Sequence, residues 1–246
     1  EDGGGLNYVE ACSPRATPGQ SLHAGVVEIV LAPHACCRFA SVQNWAQPVY
    51  SLATRRAALH ERATIHWIGG NLGSRVTMSY PSVHLRGRAA RAEMLSVSIA
   101  GAGQHQDTGC KVLHAAPDTS CKVLAKSIAK DGGRTAFRGR VQVLHGSRHA
   151  RSHVRCDSLI LDPHSRCDTY PHLEVRERDA VVGHEASVSR IAVEQLFYLM
   201  SRGLSESEAS QTIVLGFIEP LLKELPMCYA VPLNRLIQLE MSHAVG

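Results

Sequence analysis

The stretch DGGRTAFRGRVQVLHG, residues 131–146, carries the pattern that decides the fold. It opens and closes on glycine turn signals, and between them apolar and polar side chains alternate with a period of two. Phe137 and Val141 fall on one face, whereas Arg138 and Arg140 fall on the other. This alternation is typical of a β-strand with one buried face, so the stretch predicts one strand between two turns.

The same unit recurs along residues 21–190, where turn signals are spaced roughly 14 to 18 residues apart. These signals are Gly69-Gly70, Gly87, Gly101, Pro117-Asp118, Asp131-Gly132-Gly133, Gly146 and Asp162-Pro163. Only 5% of the residues are aromatic, which favours a narrow core of stacked small side chains. The sequence therefore predicts a mainly β chain whose residues 1–190 form a parallel β-helix, with a β-sandwich as the competing architecture.

From residue 191 the period changes to that of helices. We predict helices over 194–202, over 205 to about 225, and over 232–241. Gly203 ends the first helix, Ser205 and Glu208 form a capping box that opens the second, and Pro220 predicts a kink in it. These helices predict a small C-terminal domain, residues 191–246, that caps the β-helix or docks a partner.

Composition excludes several classes of protein. A length of 246 residues with 44% hydrophobic residues is enough for a buried core, and no run reaches the ~20 apolar residues of a membrane span. The N-terminal EDGGGLNYVE is not a signal peptide, and the absent initiator Met suggests a processed chain or a fragment. Eight cysteines without a CxxC pair indicate reduced cytoplasmic thiols rather than disulfides or structural zinc.

Residues 134–166 form a basic stripe, with seven Arg and four His against two Asp. Nucleic-acid interfaces usually interleave such charges with aromatic side chains, and Phe137 is the only aromatic residue in this stripe. We therefore interpret the stripe as a solvated sheet face and expect no nucleic-acid partner. The chain also has no GxxxxGK[ST] phosphate-binding loop, so it carries no ATPase motif.

Eight strings of the sequence together resemble one known family. They are YVEAC (8–12), SLHAGVVEI (21–29), VQNW (42–45), KSIAKDGGRTAFRG (126–139), CDSLILD (156–162), SRCDTYPHLEVRE (165–177), GHEASVSR (183–190) and EQLFYLMSRGLSE (194–206). The chain is similar over nearly its whole length to the SufB family, the iron–sulfur cluster assembly scaffold of the Suf system. It matches the C-terminal half of a typical member, without the N-terminal domain and the first coils.

The resemblance implies a right-handed parallel β-helix followed by a helical domain that docks the ATPase SufC. It also implies pairing of the β-helix with the paralogue SufD, sulfur supply from a cysteine desulfurase, and a cytoplasmic complex without membrane attachment. The cofactor would be a nascent Fe–S cluster, built from iron and from sulfide or persulfide. The family is further associated with reduced flavin in the full complex, although the sequence shows no flavin motif.

Cys156 is the candidate primary ligand of that cluster, because iron in such clusters is held by soft thiolates. From alternation alone, Cys156 is a small buried core residue, and His184 is a hydrogen-bonded core histidine. The resemblance assigns both His184 and Glu185 to the cluster, with Glu185 preferred. Adjacent strand residues face opposite ways, so a joint role requires a bulge, which Gly183 would permit.

Cys12 resembles the cysteine through which the family accepts sulfur, and Gln43, Trp45 and Arg55 resemble its proposed path between the two thiols. Arg55 departs from the usual lysine, which keeps the positive charge but removes a nucleophilic amine. Alternatives for these residues are an unconstrained cysteine near the chain end and a tryptophan that fills the core.

The predicted function is thus a non-enzymatic scaffold that accepts sulfur and iron and assembles an Fe–S cluster for transfer to apo-proteins. The alternative is a β-helix enzyme that acts on a polysaccharide or an acyl substrate. Such enzymes align carboxylates on one sheet face. Acidic residues are sparse over 94–173, which disfavours the alternative.

Overall fold

The structure is a computed structural model that describes residues 1–12 and 19–242. Within these residues the chain forms fourteen strands and three helices. The strands are β1 (Gly5–Cys12), β2 (Ser21–Leu31), β3 (Cys36–Trp45), β4 (Val49–Leu59), β5 (Thr64–Gly73), β6 (Val76–Ser79), β7 (Ser82–Leu85), β8 (Arg91–Ala100), β9 (His105–His114), β10 (Ser120–Ala129), β11 (Arg134–Val143), β12 (Arg151–Ile160), β13 (Arg166–Val175) and β14 (Val181–Arg190).

Successive strands alternate between two parallel sheets, which together form a β-solenoid of about six turns. Sheet A has the order β1-β3-β5-β8-β10-β12-β14, and sheet B has the order β13-β11-β9-β6-β4-β2, with β7 beside β6 between β4 and β9. Because consecutive strands go to different sheets and pair in parallel, this is a parallel β-helix and not a sandwich of hairpins. The predicted mainly β fold is confirmed.

The side chains that the alternation predicts to point inward fill the narrow space between the sheets. Phe137 and Val141 are buried there, whereas Arg138 and Arg140 are exposed on the outer face of sheet B. The sheets stack residue upon residue, so a core position recurs once per coil. On sheet A, for example, Ala125 lies beside Cys156.

The helices are α1 (Val193–Ser201), α2 (Glu206–Glu224) and α3 (Met227–Ser242). The capping box of α2 is present: the Ser205 hydroxyl accepts the Glu208 N–H, and the Glu208 carboxylate accepts the Ser205 N–H at 2.8 Å. Helix α2 continues through Pro220 to Glu224. Helix α3 begins earlier than position 232 because the Pro226 carbonyl accepts the Ala230 N–H at 2.9 Å.

Helix α2 covers the outer face of sheet A. Val214, Ile218 and Leu221 pack against apolar side chains that point outward from the sheet, such as Ile68 and Val97. Helix α1, in contrast, buries none of its own residues. Among the described helices, none is long and apolar enough to cross a membrane.

Candidate cluster site and internal path

Strands β12 and β14 bring Cys156 and His184 together at one end of the solenoid. In the parallel register Val154 lies beside His184 and Cys156 beside Ala186, so both side chains point into the core. The Cys156 Sγ and His184 Nε2 atoms are 3.7 Å apart. The site thus pairs a soft sulfur with an imidazole nitrogen, the two ligand types that iron accepts most readily in such clusters.

Burial controls the protonation of both groups. Cys156 is 2% exposed, and burial, assisted by Cys110 and Asp157, raises the pKa of its thiol. The pKa of His184 is lowered by burial and then by the nearby His153. At neutral pH the pair is therefore a protonated thiol and an uncharged imidazole, and a metal ion must displace the thiol proton to bind.

Gly139 on β11 lies next to the imidazole of this pair. A Cβ atom at Gly139 would lie 3.0 Å from a ring carbon of Phe137 and 3.7 Å from His184 Nε2. Any larger side chain here would thus crowd the imidazole. The absence of a side chain at Gly139 lets the Phe137 ring and the imidazole pack closely against β11.

Glu185 lies on the opposite face of β14. It is exposed and pairs in register with Arg155 on β12. The bulge expected at Gly183 does not form, because Gly183 pairs with His153 within an unbroken register. The structure therefore brings Cys156 together with His184 and keeps Glu185 away from them.

This end of the solenoid is open in the described chain. Strands β13 and β14 are the last of their sheets, so each has one unpaired edge. Core-facing apolar side chains of these strands, including Leu173, Val175 and Val188, are exposed, Val188 to 53%. A further coil laid across β13 and β14 would cover these side chains and enclose the Cys156–His184 pair.

Cys12 lies at the other end of the solenoid. It is the last residue of β1, half-buried, and pairs with Gln43 on β3. Because Gln43 is buried in the core, the same register places Cys12 on the core-facing side of sheet A. The following residues, 13–18, lie outside the described part of the chain.

Beside Cys12 the structure forms a polar network around the Glu10 carboxylate. The Ser41 hydroxyl donates to Glu10 at 2.7 Å, and the Arg55 guanidinium pairs with the same oxygen at 3.2 Å. Gln43 donates to Ser41 at 2.8 Å and accepts the indole N–H of Trp45 at 2.8 Å. Gln43, Trp45 and Arg55 are thus joined to one another, so Trp45 does more than fill the core.

Arg55 is the buried charge of this network. It is 7% exposed, and its Nε atom has no hydrogen-bond partner among the described residues. The His23 ring stacks on Trp45 with centroids 4.1 Å apart, and its pKa is lowered by burial and then by Arg55. The network therefore holds a buried guanidinium that the Glu10 carboxylate balances, beside a neutral imidazole, and the guanidinium Nε–H has no acceptor among the described residues.

A file of small side chains joins the two ends through the core. Strand register aligns Glu10 with Ser41, then Gly69, Ser96, Ala125 and finally Cys156. Five strand-to-strand steps of about 4.8 Å make this file about 24 Å long. A cavity of about 30 Å³ adjoins it, lined by Ser41, Arg55, Gly69 and Ser96 at one end and by Cys110 and Phe137 at the other.

Sequence reasoning missed Glu10 and this file. The signal was present, because Ser41, Gly69, Ser96, Ala125 and Cys156 follow one another at intervals of 27 to 31 residues. That interval is the length of one coil, twice the strand-and-turn unit. Recognising it requires the register, which a bulge or an extra turn residue would shift.

Of the remaining described cysteines, Cys110 lies near Cys156 and pairs in register with Gly139. Cys37, Cys110 and Cys121 are buried, Cys36 is exposed, and Cys167 is half-buried and accepts a hydrogen bond from Thr135 at 3.0 Å. Within residues 1–12 and 19–242, no three His, Cys, Asp or Glu side chains are arranged to hold a metal ion.

Comparison with known proteins is consistent with this geometry. A family model described as "SUF system FeS cluster assembly, SufBD core domain" matches residues 1–217. The chain is 53% identical over its whole length to an iron–sulfur cluster assembly SufBD family protein of Mycobacterium leprae, and covers 28% of that protein. It is 49% identical to the iron–sulfur cluster assembly protein SufB of Bacillus subtilis over 98% of the chain and 52% of the relative.

The chain thus spans about half or less of the length of these curated relatives. The family match and the β-solenoid agree with the resemblance found in the sequence strings, and nothing favours the alternative of a polysaccharide- or acyl-acting enzyme. The chain belongs to the SufBD family of Suf-system iron–sulfur cluster assembly proteins.

Proposed function

We propose that this chain is part of a scaffold that accepts sulfur at Cys12 and assembles an Fe–S cluster at Cys156. The observation that carries the proposal is the 3.7 Å contact between Cys156 and His184 at the open end of the solenoid. Two ligands are too few for a resident metal but suit a substrate that is built and then passed on.

Sulfur would arrive as a persulfide. The Cys12 thiolate attacks the outer sulfur of a donor persulfide supplied by a cysteine desulfurase, and the donor leaves as its own thiolate. The persulfide on Cys12 is anionic when deprotonated, and the Arg55 guanidinium and the Gln43 amide lie in the adjacent network. The file of small side chains from Ser41 to Ala125 offers the shortest route through the core to Cys156.

The open end is the proposed contact with a SufD-type paralogue. Its β-helix would continue the solenoid across β13 and β14, cover the exposed Val188 and supply the missing ligands. Glu185 would join the cluster only in that assembly, since the strand edge that carries it must first rearrange. We place the complex in the cytoplasm.

Helix α1 is the proposed dock for a SufC-type ATPase. Phe197 and Tyr198 are 73% and 57% exposed, and no residue of α1 is buried within the chain. Removing residues 191–246 would not test docking alone, because the deletion would also expose the outer face of sheet A that α2 covers. Phe197→Ala with Tyr198→Ala should abolish ATPase pull-down, whereas Leu22→Ala, which truncates an exposed side chain on β2, should not.

The direct test is cluster formation in the complete complex under anaerobic conditions with iron and free sulfide. Cys156→Ala should abolish the visible charge-transfer absorption while leaving the thermal unfolding midpoint nearly unchanged, because truncating a small thiol costs about 1 kcal/mol. Cys121→Ala is the matched control, a buried thiol of the same core on β10. Normal absorption from the Cys156→Ala complex would disprove the ligand assignment.

A further inference from the structure

The outer face of sheet B carries a column of basic side chains that cluster assembly does not use. Arg56, Lys111, Arg140 and His172 share one register position on β4, β9, β11 and β13, and Ser82 fills the place between Arg56 and Lys111. All four side chains are exposed. Neighbouring strands are about 4.8 Å apart, so like charges in this basic column repel one another.

The neighbouring arginines of the same face show how the chain normally balances such charges. Arg134 pairs with Asp168 at 2.8 Å, and Arg138 pairs with the buried Asp107 at 3.0 Å. No ion pair in the described part of the chain involves Arg56, Lys111 or Arg140. The basic column therefore keeps its charge available to an external anion.

A groove of about 480 Å³ lies along this column. Lys111, Arg140 and His172 line one side, and Tyr80 and Tyr170 line the other. That volume suits a ligand the size of a nucleotide.

The aromatic side of the groove is held in place. The Arg138 guanidinium lies 4.5 Å from the centroid of the Tyr170 ring while it pairs with Asp107. Tyr80 also hydrogen-bonds to Asp107, and burial with this bond raises its pKa to about 12, so its phenol stays uncharged. A flat ring could therefore pack against fixed phenol rings while phosphate oxygens face the cations.

Arginines of the basic column act on two neighbouring titratable side chains. The pKa of His84 is lowered by burial and then by Arg86 and Arg56. Hydrogen bonds from Gln142 and Arg176, with Arg140 assisting, lower the pKa of Glu174. Burial is the larger cause for His84 and hydrogen bonding for Glu174, and the arginines add to both shifts.

We propose that this groove binds a nucleotide-sized anion that carries phosphate groups and a flat ring. The one aromatic residue of the basic stripe of residues 134–166, Phe137, is buried in the core. The fold supplies aromatic side chains from outside the stripe, since Tyr80 precedes β7 and Tyr170 lies on β13. Cys110 and Gly139 also line the groove and lie near the Cys156–His184 pair, which is on the core side of the strands. The charged and aromatic side chains of the groove are on the outer face of sheet B, so the proposal does not depend on the proposed cluster chemistry.

Calorimetric titration of the full chain with ADP and with inorganic pyrophosphate tests the proposal. Both probes should bind, ADP more tightly, and added salt should weaken both. Lys111→Gln and Arg140→Gln should each weaken both probes about tenfold, the usual loss for one charge-assisted hydrogen bond. Tyr170→Leu should weaken ADP and leave pyrophosphate unchanged. Arg178→Gln, at an exposed turn arginine, is the matched control and should change neither.

The absence of saturable binding by either probe would overturn the proposal. An equal loss of affinity in the Arg178→Gln variant would also overturn the proposal, because it would show that binding depends only on the net charge of the chain. Binding of a short single-stranded oligonucleotide without binding of ADP would assign the face to a polyanion instead and would also overturn it. The substituted side chains are exposed, so unchanged thermal unfolding would show that any loss arises in the groove.

Discussion

The two ends of the solenoid each present a cysteine on the core-facing side of sheet A, yet the surroundings of the two thiols differ. Cys12 is half-buried and lies beside a charged network of Glu10, Arg55 and Gln43. Cys156 is buried among apolar residues, with His184 as its nearby polar partner. A repeating backbone thus places two identical groups in two environments, one suited to a passing anion and the other to a retained metal.

The difference between the two environments arises because successive coils carry different residues at the register position of Cys156. The position of Cys156 is held by Glu10 on β1, by Ser41 on β3 and by Gly69 on β5. Charge is therefore concentrated at the Cys12 end and decreases along the file. A sulfur atom that is anionic at the start would meet progressively less polar surroundings, which disfavour charge unless a metal ion compensates it.

Removing the Cys12 thiol should have the largest effect on cluster formation among the variants that distinguish the two ends. Cys12→Ala should abolish cluster formation when the desulfurase supplies sulfur and leave it intact with free sulfide, because only the first route requires an acceptor thiol. Charge-transfer absorption of the complete complex under both conditions measures this. Failure under both conditions would place Cys12 in cluster binding and remove the distinction between the ends.

The pH dependence of metal binding should sharpen the contrast at the Cys156 end. The raised pKa of Cys156 keeps its thiol protonated between about pH 6.5 and 8.5, and the lowered pKa of His184 keeps the imidazole neutral there. Binding of a soft ion such as Cd²⁺ then releases one proton, so its affinity should rise about tenfold per pH unit.

The measurement is ultraviolet sulfur-to-metal absorption, taken as the difference between the wild-type chain and Cys156→Ala. An affinity that does not change with pH would mean that Cys156 is already ionised. A rise of about a hundredfold per unit would mean that a second proton is displaced, so that His184 or another thiol is charged or protonated as well.

Filling the file between the ends should have a smaller, selective effect. Ser96→Val adds bulk beside Gly69 and Ala125, so cluster formation from desulfurase sulfur should slow several-fold while free sulfide remains effective. Overpacking of this kind costs about 1–3 kcal/mol. Ser98→Val is the control for this destabilisation, because Ser98 lies on the same strand and the same core face but in the neighbouring row of core positions. Equal rates in the two variants would show that sulfur does not follow the Ser96 file.

The sequence predicts each strand of the repeat well, because the alternation within a single strand shows which of its side chains point into the core. Phe137 and Arg138 differ in polarity, and that difference alone orients β11. The capping box at Ser205 is equally local. The proximity of Cys156 to His184 and the Glu10 network could not be read in this way, because each depends on pairing between residues about 30 positions apart. Pro232 predicts a later start of α3 than the structure shows, because Pro226 is an equally good residue for the start of a helix.

The smallest effect should come from Glu185, and it tests whether the Cys156 end changes on assembly. Glu185 faces away from Cys156 and carries no contact to the pair in this chain, so Glu185→Gln should leave Cd²⁺ binding by the isolated chain unchanged. His184→Gln should weaken it, because the imidazole nitrogen lies 3.7 Å from the sulfur.

In the complete complex Glu185→Gln should lower cluster yield only if pairing of β14 with a partner strand turns the carboxylate inward. Weaker Cd²⁺ binding by the isolated Glu185→Gln chain would contradict the unbroken register of β14. An unchanged cluster yield in the complex would restrict the ligands from this chain to Cys156 and His184.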